Sequence, residues 1–170
     1  AKALGGGVAR IKVGAASETE LKEKKLRYED AINSVKSALE AGVVPGGGAT
    51  LHHLATDKRL VKAVMASCMS DESRLGAQIL IRSLSAPLKQ IATNCGRDGA
   101  VIADKCTGKG FGFGYNAATD KFSNDLCAEG VLDPAKVTIS ALQTAASIAG
   151  LILTTEVLVT DEPQEEARHQ

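Results

Sequence analysis

The sequence predicts a mainly α fold with short strands at both ends. Three observations point there. Hydrophobic residues make up 44% of the 170 residues while aromatics make up only 3%, which suits a core of close-packed aliphatic side chains. Apolar residues recur at three- and four-residue spacing over several long stretches. Glycine and proline punctuate the gaps between those stretches.

The elements read in order as follows. Val8-Ala9-Arg10-Ile11-Lys12-Val13 alternates apolar and basic residues, the pattern of a half-buried strand, and Gly14 ends it. Ser17 stands three residues before Glu20, a capping-box spacing. A long helix then runs to Ala41, with Leu21, Tyr28, Ala31, Ile32, Val35, Ala38 and Leu39 on one stripe and Gly42 just past its end. Pro45-Gly46-Gly47-Gly48 leads into a helix at Ala49 to Leu54. Residues 57–71 read as a short helix and a loop. Glu72 to Cys95 is periodic again, with Pro87 set to kink it or start a new helix. Ala100 to Lys105 is a further short helix, and Gly108 to Asn116 a loop or small hairpin. Asp133-Pro134 predicts a helix start, Asp at N-cap and Pro at N1. That helix should run to about Thr155 and, apolar nearly all round, should be central. Val157-Leu158-Val159 is a terminal strand, and residues 161–170 a loose polar tail.

Composition narrows the function. Twenty basic against twenty acidic residues leave no net charge, which argues against a broad nucleic-acid footprint. Five aromatics and no Trp argue against a base-stacking platform. Cys68, Cys95, Cys106 and Cys127 match no zinc or redox spacing and read as unpaired thiols. The longest uncharged run, Val137 to Thr155, approaches membrane-spanning length. Its seven hydroxyl or amide side chains fit a buried helix better than a lipid-facing one. The opening Ala1-Lys2-Ala3-Leu4 leads us to expect a piece of a longer protein.

Three features stand out for chemistry. At Gly46-Gly47-Gly48 the backbone can approach a ligand closely, or simply link two helices tightly. Asp30 lies about 200° around the helix from Tyr28, off the apolar stripe. It is either a solvated acid beside Arg27 or a carboxylate that positions an attacking water. Asn116, beside the small Ala117 and Ala118, either forms a turn or reads the edge of a flat base. Asp133 either caps its helix or accepts from a ribose hydroxyl. His52 and His53, adjacent on a helix, diverge by about 100° and cannot easily share one metal.

Taken in order, these pieces resemble the C-terminal part of group I chaperonins. The resemblance runs from about residue 3 to 163. It rests on Gly5-Gly6-Gly7-Val8-Ala9, Ile11-Lys12-Val13-Gly14-Ala15-Ala16, Glu18-Thr19-Glu20-Leu21-Lys22-Glu23-Lys24-Lys25, Glu29-Asp30-Ala31 and Val43-Val44-Pro45-Gly46-Gly47-Gly48. Ala86-Pro87-Leu88-Lys89-Gln90-Ile91, Gly114-Tyr115-Asn116-Ala117-Ala118-Thr119, Leu132-Asp133-Pro134-Ala135-Lys136-Val137-Thr138, Ser140-Ala141-Leu142-Gln143 and Ala145-Ala146-Ser147-Ile148-Ala149-Gly150 continue it. Ile139, where the family commonly has Arg, and residues 56–72 depart from the pattern.

The resemblance implies an ATP-dependent subunit of a double-ring folding machine with a co-chaperonin lid and non-native client proteins. It divides the chain into an apical–intermediate connection with the returning intermediate-domain helix (1–42), the C-terminal half of the equatorial ATP-binding domain (43–160) and a tail (161–170). It makes Asp30 the acid that activates water. Gly46 and Gly47 become the loop against the nucleotide, Asn116, Ala117 and Ala118 the adenine contact, and Asp133 the ribose contact. Magnesium ligands are expected in an N-terminal half, so this segment alone should not hydrolyse ATP. The wording Lys25-Leu26-Arg27, Gly99-Ala100-Val101-Ile102-Ala103 and Ala146-Ser147-Ile148-Ala149-Gly150 resembles the cyanobacterial and plastid branch. That implies a RuBisCO-subunit-binding chaperonin of the chloroplast stroma, with a mitochondrial matrix or bacterial cytoplasmic protein as the alternative. Two other classes remain: a non-catalytic helical assembly module, and a small-molecule enzyme with a glycine-rich phosphate loop.

Overall fold

A computed structural model of the chain describes residues 9–160, which form seven helices and four three-residue strands. The long helix α1 spans Glu18–Ala41. Its start is built as the spacing requires: the Ser17 hydroxyl accepts from Glu20 N at 3.3 Å, and the Glu20 carboxylate accepts from Ala16 N at 3.2 Å. Glu20–Lys24 at 2.7 Å and Glu23–Arg27 at 2.5 Å line its polar face. Gly42, at φ +78°, turns the chain out and donates its N–H to Ala38 O.

Strand β1 (Val43–Pro45) follows at once and pairs antiparallel with β4 (Leu132–Pro134), Val44 facing Asp133. Between them lie α2 (Ala49–Thr56), α3 (Lys58–Ser67), α4 (Asp71–Ser83), α5 (Ala86–Asn94) and α6 (Gly99–Cys106). Asp57, Ser70 and Asp98 cap α3, α4 and α6 with their side chains. The expected helix over 72–95 divides at Leu84 and Ser85, and Pro87 sits in the first turn of α5. The glycine-punctuated segment ends in a hairpin of β2 (Gly114–Asn116) and β3 (Lys121–Ser123). Helix α7 (Ala135–Leu153) closes the described chain.

The core is small and local. Leu88 and Ala92 of α5 pack with Ile102, Ala103 and Cys106 of α6 and with Tyr115 of β2, and Phe113 and Ala117 close its edge. His52 and His53 serve this core. His53 Nε2 donates to Phe113 O at 2.6 Å. Thr107 gives its hydroxyl proton to Ala103 O, so it accepts from His52 Nε2, and His52 Nδ1 accepts from Ser85. This neutral His52 agrees with burial, and the neighbouring His53, pushing its pKa down.

Three expectations fail. Residues 9–13 and Val157-Leu158-Val159 are not strands, and every strand among the described residues is internal. A strand-like run becomes a strand only with an edge to pair with, and neither segment has one among the described residues. Asp133 does not cap α7: pairing with Val44 draws it into β4, and Pro134 takes the cap position. Helix α7 is not central. It ends at Leu153 and buries no residue, since its neighbours α1 and β4 lie along only part of its circumference. By length and mean hydropathy, 1.4, α7 is also long and apolar enough to cross a membrane. Val8 and the tail from 161 lie outside the described residues.

Candidate functional site

Strand pairing brings together what the sequence keeps far apart. Gly46 N donates to Val131 O at 2.9 Å, continuing the β1–β4 pairing beyond Pro45. A Cβ on Gly46 would fall 3.2 Å from Asp133 Oδ1 and 3.2 Å from the Leu132 backbone. A Cβ on Gly47 would fall 3.6 Å from Tyr115 O, immediately before Asn116. The glycine loop therefore lies between the Asp133 strand and the Asn116 hairpin, and all three meet in one place.

The loop is held from below. The buried Thr50 hydroxyl donates to Pro45 O at 2.7 Å. Gly48 has φ +75°, and a Cβ there would lie 2.5 Å from Leu88 N. Only glycine suits that left-handed backbone pressed against the start of α5. The third glycine thus fixes the loop on the core, the first is buried against the Asp133 strand, and Gly47 between them is half-buried.

Asp133 is half-buried, and its carboxylate has no hydrogen-bond partner among the described residues. Burial pushes its carboxyl up. An unpaired carboxylate at a glycine surface is a ready acceptor for a ligand hydroxyl. Asn116 is 7% exposed and already engaged. Its Oδ1 accepts from Ala118 N at 3.1 Å, and its Nδ2 donates to Glu129 Oε2 at 2.7 Å. The turn reading of Asn116 therefore holds, and it presents Ala117, half-buried, and Ala118, exposed. Asp30 stands apart. It is exposed on α1, and Arg27, the neighbour expected to hold it, pairs with Glu23 instead. Twelve residues of helix place it about 18 Å from Gly42 along the axis. The structure brings Gly46, Gly47, Asn116–Ala118 and Asp133 together and leaves Asp30 outside.

The model of the TCP-1/cpn60 chaperonin family matches residues 2–163. The chain belongs to that family. A crystal structure of a group III chaperonin in the open state is similar, with a TM-score of 0.72 and 27% sequence identity. The match covers 86% of this chain and 30% of that one, so the chain spans about 30% of that chaperonin's length.

Two residues around the candidate site carry contacts that no sequence motif announces. Glu129 belongs to no motif. Its role depends on a contact across 13 residues that only the folded hairpin creates. Asp120, at φ +55°, accepts from Tyr115 Oη at 2.7 Å and pairs with Arg97. Arg97 first, then Tyr115, holds its carboxyl down at about 2. This lock closes the β2–β3 turn on the far side of Tyr115. Among the described residues no group of three or more His, Cys, Asp or Glu could hold a metal ion.

Proposed function

We propose that this chain is the C-terminal part of a group I chaperonin subunit and contributes the base, ribose and water-activating residues of its ATP site. It would work in a double ring, under a co-chaperonin lid, on non-native proteins. The observation that carries the reading is the meeting of Gly46 and Gly47 with an unpartnered Asp133 carboxylate and the Asn116–Ala118 turn. The residues fit a nucleoside. Gly46 lets the loop pack directly against Asp133, Gly47 leaves half-buried backbone without a side chain next to it, and Ala117 and Ala118 offer a small surface to a planar ring. In this reading Asp133 accepts from the ribose, Gly46 sets Asp133 against the loop, Gly47 admits the close approach of the sugar, and the turn carries the base.

ATP would supply the free energy of phosphoryl transfer. Asp30 would orient the attacking water and take its proton. For that, α1 must bring its exposed carboxylate toward the phosphates. Gly42, the left-handed junction between α1 and β1, supports a swing of α1 as one rod. Magnesium ligands would come from a segment N-terminal to this chain. The resemblance to the plastid branch extends the proposal to RuBisCO subunits as clients, in the chloroplast stroma.

The test is nucleotide affinity in the assembled chaperonin that carries this chain. Asp133→Ala and Asn116→Ala should each raise the ATP dissociation constant about tenfold, the loss of roughly one good hydrogen bond. Unchanged affinity in both would favour a helical assembly module that binds no nucleotide here.

A further inference from the structure

The strongest unassigned feature beside the site is the clamp on Asn116. Glu129 Oε2 accepts from Asn116 Nδ2 at 2.7 Å. Ser123 first, then Asn116, hold this carboxylate below the usual carboxylate range. On its other side Asn116 Oδ1 accepts from Ala118 N. The amide is therefore fixed at both ends. Its NH2 meets an acceptor and its oxygen meets a donor, so a flipped amide would lose both bonds. Asn116 is buried while Glu129 is exposed, so the outer residue fixes the inner one and the inner one fixes the turn.

Resting on the nucleotide reading above, we propose that Glu129 is a positioning residue for the nucleotide base. It acts through Asn116 and sets where Ala117 and Ala118 stand. The group that matters is the acceptor oxygen rather than the charge. Gln at this position can still accept from Asn116 Nδ2.

The experiment uses the assembled chaperonin, with ATP, ADP and inorganic tripolyphosphate as probes. Glu129→Ala should raise the dissociation constants of ATP and ADP about tenfold, with the loss falling on KM rather than kcat. It should leave tripolyphosphate, which has no base, binding as to the wild type. Glu129→Gln should restore nucleotide binding. Asn116→Ala with Glu129→Ala should be no worse than Asn116→Ala alone, because one residue acts through the other. Wild-type affinity in Glu129→Ala, an equal loss for tripolyphosphate, or no rescue by Gln would each overturn the clamp. If Asn116→Ala weakens ATP while Glu129→Ala does not, only the clamp falls. If Asn116→Ala also binds normally, its base-contact role falls with it.

Discussion

Two regions of the molecule use apolar stripes to different ends. In α2, α5, α6 and the β2–β3 hairpin the stripes meet one another, and Ala49, Leu88, Ala92 and Cys106 are wholly buried. In α1, α4 and α7 no residue is buried, although each carries large apolar side chains. Leu39 of α1 is 79% exposed and Leu153 of α7 is 83% exposed. Leu142, Ala145 and Ala149 of α7 face Ile79 and Leu80 of α4 across a groove of about 500 Å³. Periodicity fixes which side of a helix is apolar, and only the fold decides what covers it. The site follows the same division. Gly46, Gly47, Asn116 and Asp133 stand on or beside the packed region, whereas Asp30 stands exposed on α1.

The sharpest way to break this contrast is by paired truncation. Leu88→Ala should cost about 2–5 kcal/mol, through lost transfer energy and the cavity left behind. Leu39→Ala should stay within about 0.5 kcal/mol, as for surface positions. Chemical denaturation of this chain checks both. Equal losses would show that the α1 stripe is covered after all.

A smaller effect separates two carboxylates near the site by the sign of their pH dependence. Asp120 is held down at about 2, against an ordinary 3.8, so it contributes stability above 3.8 that is lost as pH falls through about 2. Asp133 is pushed up by burial, so its contribution is complete below 3.8 and is lost as pH rises through its raised value. Asp120→Asn should therefore lower the denaturation midpoint near neutral pH, the gap closing in acid. Asp133→Asn should raise that midpoint near neutral pH, and that gap also closes below 3.8. It should weaken nucleotide binding at the same time, the mark of a carboxylate kept for a ligand rather than for the fold. Shifts of the same sign in both variants would refute the assignment of their surroundings.

Much of the helical frame was legible because its signals are local. Ser17 and Glu20 begin α1, Gly42 ends it, and Pro87 marks the start of α5 within one turn. The failures are all long-range. Asp133-Pro134 has the local form of a cap, but pairing with Val44 overrides it. The alternating residues 9–13 and the apolar Val157-Leu158-Val159 read as strands but have no partner edge among the described residues. The gathering of Gly46, Asn116 and Asp133 was read from resemblance, and its geometry comes from β1–β4 pairing between segments far apart in the chain. Glu129 was invisible because a lone glutamate in a loop carries no pattern.

The account turns on Asp30, the one site residue that the structure leaves apart from the rest. The direct measurement is ATP retention and ATP turnover by the assembled chaperonin, wild type beside Asp30→Ala. Our account predicts that the variant still retains ATP and turns it over about 100-fold more slowly or worse, as expected for removal of a general base. Equal turnover in the two proteins, or no ATP retained by either, would contradict it.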